Sequence, residues 1–236
     1  MSVALPGEEV QQRMAYTFQF AAVFESLDLL AKGALLTIQL SAAAMVAGLL
    51  FGATFAVLRT FGGRWVSMAI GTYVEAIRNT PFLIQLFLIY FGLPSLGISL
   101  DPVTAALIGM SVNCAAYTTE IIRSGIMAIP SGQIEAARAL AFSTTDIIRH
   151  IVLFPALRVA APALGSQFIL VMLGSSVVST VSADELTATG HILETQTFRP
   201  FEVYIVVTLI YLAIAFTLKL LFAWLDVAWF SRRGRL

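Results

Sequence analysis

The chain has 236 residues, 58% hydrophobic and 12% charged, with 14 basic and 14 acidic side chains that cancel and a mean hydropathy of +0.88. An ordinary globular domain is about a quarter charged, so this chain lacks the charge to cover a water-facing surface, and lipid must form part of its solvent. A basic face for nucleic acid is excluded, and one cysteine with two histidines provides neither an internal disulfide nor a metal site of cysteine and histidine spacing.

Residues 1–32 carry Glu8, Glu9, Glu25 and Asp28 where a secretory signal would need a basic start and an apolar stretch. They are expected to form an N-terminal segment outside the membrane, not a cleaved leader. Five charge-free runs follow, at 33–58, 79–100, 102–119, 159–183 and 203–218. A hydrocarbon core about 30 Å thick takes about 20 helical residues and must have every backbone group satisfied within the segment, so each run predicts a spanning helix. Lys219 can lay its stem along lipid and lift its ammonium to the headgroups, which extends the fifth span to Asp226.

In the first run, Gly48 and Gly52 make a small face for close approach of a neighbouring helix. Next, Ser67, Gly71, Glu75 and Arg78 recur at helical spacing among Trp65, Met68, Ala69, Ile70, Val74 and Ile77. That polar face suits the inner membrane surface or a cavity wall, with Glu75 and Arg78 as a charge pair between helices. Pro81, after Asn79 and Thr80, opens an apolar run that ends at Tyr90-Phe91-Gly92-Leu93-Pro94. A bent helix there frees backbone groups that only protein or a water-filled cavity can satisfy, which makes Arg78, Thr80 and Pro81 candidates for a gate or helix break.

In the third run Gly109, Asn113, Tyr117, Glu120 and Ser124 fall on one helical face, turned from lipid. A charge within a span is costly, so Glu120 is a functional candidate, the plainer reading being a salt bridge to Arg123 or Arg78. Between the third and fourth runs, Ser131 is expected to cap a short helix with a Glu135–Arg138 pair and an apolar face of Ile134, Ala137 and Ala141. Ser143-x-x-Asp146 resembles a capping box for another. An alanine knob of this kind fits closely into a partner's groove, although an ordinary surface loop has the same composition. In the fourth run Gln167 precedes hydroxyls at Ser175, Ser179 and Ser182 along one side, serving as interhelical glue or as a solute path. The candidate solute path is therefore Asn113, Tyr117, Glu120, Ser175 and Ser179. Arg59 and Arg64, then Arg138, Arg149 and Arg158, then Arg232, Arg233 and Arg235 mark the inner side, so the N-terminus is outside and residues 227–236 are a cytoplasmic basic tail.

Glu135-Ala136-Ala137 followed by Ile151-Val152-Leu153 resembles the EAA loop of bacterial ABC-importer permeases. Glu75 to Pro81, Gln85-Leu86-Phe87, Tyr90 to Pro94 and Tyr117 to Arg123 are similar to the polar amino acid uptake subfamily, and the likeness covers most of residues 33–226. The resemblance implies an all-α, five-helix type I importer permease in the bacterial inner membrane, its domain spanning 33–226. It further implies that 128–149 is the coupling loop, with Glu135, Ala136, Ala137 and Ala141 as the ATPase contact. Implied partners are a second permease subunit, identical or homologous, two ATP-binding subunits, and a periplasmic or lipid-anchored amino-acid-binding protein. ATP and Mg would sit in the ATPase, and the sequence agrees: it has no G-x-x-x-x-G-K-[ST] loop, its only lysines are Lys32 and Lys219, and no catalytic set is expected. Ala141 stands where the family usually has glycine, which predicts a helix continuing where the family turns. Asn79 also replaces a glycine, Pro155 comes one place late after Leu153-Phe154, and Leu173 and Gly174 stand where the family has a lysine with an acidic or amide residue, which leaves the cargo's charge open. The alternatives are an ATP-independent oligomeric channel and a secondary transporter, the latter disfavoured by five spans with no visible repeat.

Overall fold

The computed structural model describes residues 16–228, so Glu8, Glu9, Arg232, Arg233 and Arg235 lie outside the described residues. Helices dominate throughout, and no strand occurs among the described residues. A short helix α1 (Ala21–Glu25) leads into α2 (Leu27–Phe61), followed by α3 (Arg64–Arg78) and α4 (Phe82–Phe87). The last of these continues as a π-helical turn (Leu88–Gly92) and a 3₁₀ turn (Leu93–Leu96). Next come α5 (Pro102–Met127), α6 (Ser131–Ala139) and α7 (Thr144–Asp146); a π-helical stretch (Ile147–Val152) joins α7 to α8 (Leu153–Gly174). A 3₁₀ stretch (Ser175–Val181), α9 (Leu186–Thr197) and α10 (Pro200–Asp226) complete the chain.

Among the described residues, four helical stretches are long and apolar enough to cross a membrane: Leu27–Phe61, Pro102–Met127, Thr144–Val181 and Pro200–Asp226. The second expected span, 79–100, is not a straight helix. The chain is already helical over α3, breaks at Asn79–Pro81 and resumes in α4 at 107° to its former direction. Proline explains the break, because Pro81 has no N–H to donate and its ring drives Thr80 out of the helical region.

The small face of α2 buries Thr37, Ser41, Ala44, Gly48, Gly52 and Ala56. A Cβ on Gly48 would lie 2.4 Å from Cys114 Sγ, and one on Gly52 2.6 Å from Thr118 Cβ, so this face closes onto α5 of the same chain. As α2 advances from 48 to 52, its neighbour advances from 114 to 118, and the two helices therefore run in the same direction. Helix α8 runs against α5: Gly125 abuts the Ala156 carbonyl, while Asn113, further from the α5 terminus, faces Gln167 across a cavity. Helix α10 descends again, its Tyr211 bonded to Glu185 and its Phe222 packed on Gly165. Its other faces leave Leu209, Leu212, Phe216 and Leu220 exposed, an apolar surface suited to lipid.

Two local expectations change. Pro130, not Ser131, occupies the N-cap of α6, and Ser131 is the first helical residue without a capping bond. Ala141 does not extend the helix: it takes a left-handed φ of 59°. Phe142 N–H donates to Ala137 O at 3.1 Å and Ala141 N–H to Arg138 O at 2.9 Å. This Schellman pair of bonds ends the helix at the position where glycine carries no Cβ penalty. Ser143 does cap the next helix, accepting from Asp146 N–H at 3.2 Å and donating to Asp146 Oδ2 at 2.6 Å.

Candidate functional site

At the α3–α4 break lies a cavity of about 330 Å³, between Thr80, Pro81 and Phe82 on one side, Met110, Asn113 and Tyr117 of α5, and Gln167 of α8. The break persists because Gln85, four residues past the proline and buried, reaches back over it. Its Nε2 donates to Ile77 O at 2.7 Å, to Thr80 Oγ1 at 2.9 Å and to Thr80 O at 3.1 Å. Its Oε1 accepts from Asn113 Nδ2 at 3.0 Å, which ties the break to α5. Carbonyls freed by the proline are thus satisfied from within, as an apolar solvent demands.

The same bonds leave groups open toward the cavity. Asn113 Oδ1, the Tyr117 hydroxyl and the Gln167 amide have no hydrogen-bond partner among the described residues. The Arg78 guanidinium sits over the Tyr117 ring, 5.4 Å from its centre, a cation–π contact. It makes no ion pair with Glu75, whose carboxylate instead accepts from Asn79 Nδ2 at 3.0 Å. Larger hollows of about 470, 520 and 620 Å³ are lined mainly by apolar side chains, with Ser166, Lys219 and Asp226 among the lining of the second, and suit acyl chains better than a polar solute.

Of the sequence candidates, Asn113, Tyr117, Thr80 and Pro81 meet at this cavity, with Arg78 at its edge. Glu120 lies one turn further along α5 and is held in a cluster of charges. It accepts from Arg59 Nη1 at 2.8 Å and from Arg123 Nη2 at 2.5 Å. Ser175 and Ser179 are spent on their own 3₁₀ stretch, donating to Met172 O and Ser176 O, each at 2.7 Å. The sequence placed Gln167 ahead of the span-four hydroxyls, Gln85 within the family likeness and Arg59 on the inner side, but named none of them as a site residue. Gln85 had a signal, an amide one helical turn past a helix-breaking proline in an apolar run.

A second polar centre lies at the far end of the bundle. Glu185 is fully buried and caps α9, accepting from Thr187 N–H at 2.9 Å and Ala188 N–H at 3.0 Å. Tyr211 of α10 donates to it at 2.6 Å and Thr37 of α2 at 3.3 Å. The carboxylate therefore pins α9 between two long helices. On the same end, hydrogen bonds from Tyr204 and then His191 hold the Glu194 carboxyl below its usual range, and Thr104 does the same for Asp101.

The α6 knob projects from the opposite end. Glu135, Ala136 and Ala141 are exposed, as are Leu140 and Phe142, whereas Ala137 is turned inward and only 4% exposed. Ala137 packs with Ile147 and Ile134, so it supports the knob and Ala136 and Leu140 form its outer surface. No group of three histidine, cysteine, aspartate or glutamate side chains suited to a metal occurs among the described residues.

Residues 44–230 match the family described as binding-protein-dependent transport system inner membrane component. The glutamine transport system permease protein of Escherichia coli (strain K12) is 34% identical over 205 residues, 86% of this chain and 93% of that one. The nopaline transport system permease protein of Agrobacterium fabrum (strain C58) is 36% identical over 207 residues, 84% of this chain and 86% of that one. A crystal structure of an amino acid ABC transporter with histidines superposes with a TM-score of 0.82 at 33% identity, covering 89% of this chain and 99% of that one.

Proposed function

The chain belongs to the family of inner membrane components of binding-protein-dependent transport systems, and from that premise we propose that it is a permease subunit of an ATP-driven bacterial importer for a polar amino acid. The observation that carries this reading is the cavity at the α3–α4 break, where unpaired amide and hydroxyl groups are held inside an otherwise apolar bundle. Relatives named for glutamine and nopaline transport support an amino acid as cargo.

The bent α3–α4 pair counts as a fifth crossing in this reading. Its support is the shared direction of α2 and α5, since two parallel helices consecutive in the membrane need a return crossing between them. Arg59, Arg64, Arg123, Arg138 and Arg149 gather at the α6 end, and Asp101, Asp184 and Glu194 at the other, which supports an outward N-terminus and an inward C-terminus. Half of the pathway comes from this chain and half from a second permease subunit, identical or homologous. Two ATPase subunits dock on the α6 knobs and hold ATP and Mg, and a periplasmic or lipid-anchored binding protein delivers the amino acid. When the ATPases close, each knob moves with them; α5, which ends beside it, and α8, which begins beside it, then open the cavity inward.

Affinity purification of the tagged chain in mild detergent, together with ATP-dependent uptake into vesicles, tests the proposal. Near-equal recovery of an ATP-binding subunit is expected, with uptake that stops when ATP is withdrawn. Recovery of this chain only with itself, and transport indifferent to ATP, would favour an oligomeric channel. Ala136→Arg should release the ATPase from an otherwise folded chain, whereas Ala137→Arg should damage the knob itself.

A further inference from the structure

The polar groups facing the cavity are uncharged: the Gln167 amide, Asn113 Oδ1, the Tyr117 hydroxyl and Thr80, set among Met110, Leu170 and other apolar side chains. None of the described lining residues carries a charge. Leu170, Val171 and Gly174 share the α8 wall with Gln167, so no acid or base reaches the cavity from that side.

The nearest charges lie toward the α6 end. Arg78 rests on the Tyr117 ring, and one turn beyond Tyr117 are Glu120, Arg59 and Arg123. With Glu75 on the preceding turn of α3, three guanidiniums face two carboxylates, and the inward mouth has a positive surplus.

Charge placed in a low-dielectric cavity loses its hydration and must be repaid by a partner. A lysine- or arginine-like side chain would find no anion on these walls and would then meet the positive mouth. An anionic side chain would find no cation among the lining residues either, since the nearest, Arg78, lies at the edge over the Tyr117 ring. A side-chain amide or hydroxyl, by contrast, finds both a donor and acceptors in Gln167, Asn113 and Tyr117. The relatives leave this point open, since they are named for glutamine and for nopaline.

We infer that the cargo is an amino acid with a polar, uncharged side chain, and that Gln167 is the residue that sets this charge preference. The inference rests on the proposed permease function. Its test is equilibrium binding of radiolabelled glutamine to the permease–ATPase complex in nanodiscs, with serine, lysine and glutamate as competitors. Glutamine should bind and serine should compete, while lysine and glutamate should compete at least about tenfold less well, the equivalent of about 1.4 kcal/mol. Gln167→Glu should close most of that gap by raising lysine binding about tenfold, and Asn113→Asp on the facing wall should act in the same sense if the first variant does not fold.

Wild-type complex that binds lysine or glutamate as well as glutamine would overturn the inference, as would folded variants with no gain for lysine. In either case ATP-dependent uptake by the same complex would leave the permease function standing. Loss of ATPase association and of ATP-dependent uptake in the wild type would remove that function, and the inference with it.

Discussion

Replacing Gln85 with leucine keeps the volume of the side chain and removes the amide that spans the helix break. The Gln85 amide has two N–H groups shared among Ile77 O, Thr80 Oγ1 and Thr80 O, and its carbonyl serves Asn113. Ile77 O keeps a long bond from Thr80 Oγ1 at 3.4 Å, so the full loss falls on Thr80 O and Asn113 Nδ2. A buried group left unpaired costs roughly 1–3 kcal/mol, and two give a range of about 2–6 kcal/mol. Thr80 is exposed and Asn113 lines the cavity, where water can replace part of what is lost. The low end, about 2 kcal/mol, is therefore expected. For a chain of this size that lowers Tm by about 4–8 °C, readable as thermal unfolding in a single detergent against the wild type. Binding of the amino acid should weaken as well, because Asn113 loses the contact that orients it. Unchanged melting together with unchanged binding would refute the role assigned to Gln85 in holding the break.

Glu120→Gln should destabilise by about 1–2 kcal/mol, between the values for exposed and buried pairs because Glu120 and Arg59 are each 20% exposed. Solute affinity should be unaffected, and a double-mutant cycle with Arg59→Met should return a favourable coupling; a changed affinity would instead put Glu120 at the solute site. Ala141→Gly should stabilise by about 0.5–1 kcal/mol, since it removes a Cβ from a left-handed residue, and a loss in Tm would count against the Schellman geometry. Thr104 holds the Asp101 carboxyl below its usual value, so its capping contribution is complete above about pH 4 and disappears as pH falls through the lowered value. Asp101→Asn should match the wild type near neutrality and lose less stability on acidification, as followed by melting across a pH series.

The knob and the break show how far the chain could be read in one dimension. Pro81 after Asn79-Thr80 announced a discontinuity, because a missing N–H is a local fact. Its consequence, a 107° turn with Gln85 folded back over it, depends on packing against α5. The family likeness pointed to the region of Glu135–Ala141, yet which alanine faces outward was settled by the packing of Ala137 on Ile147 across the intervening turn. Ala141 was misread for a related reason: alanine favours helix, and two bonds back to Ala137 and Arg138 overrode that preference.

Composition and charge pattern determined that the chain lives in lipid and crosses it as helices, because both follow from residue types summed over a segment. Helical spacing also put Asn113, Tyr117 and Glu120 on one face. Only the tertiary structure separated them, opening Asn113 and Tyr117 to the cavity and closing Glu120 between Arg59 and Arg123. It also turned the serines onto their own carbonyls and brought Gln167 opposite Asn113. A helical wheel gives the direction of a side chain, whereas its chemistry depends on what stands opposite, and for Asn113 and Glu120 that includes Gln167 and Arg59 on other helices.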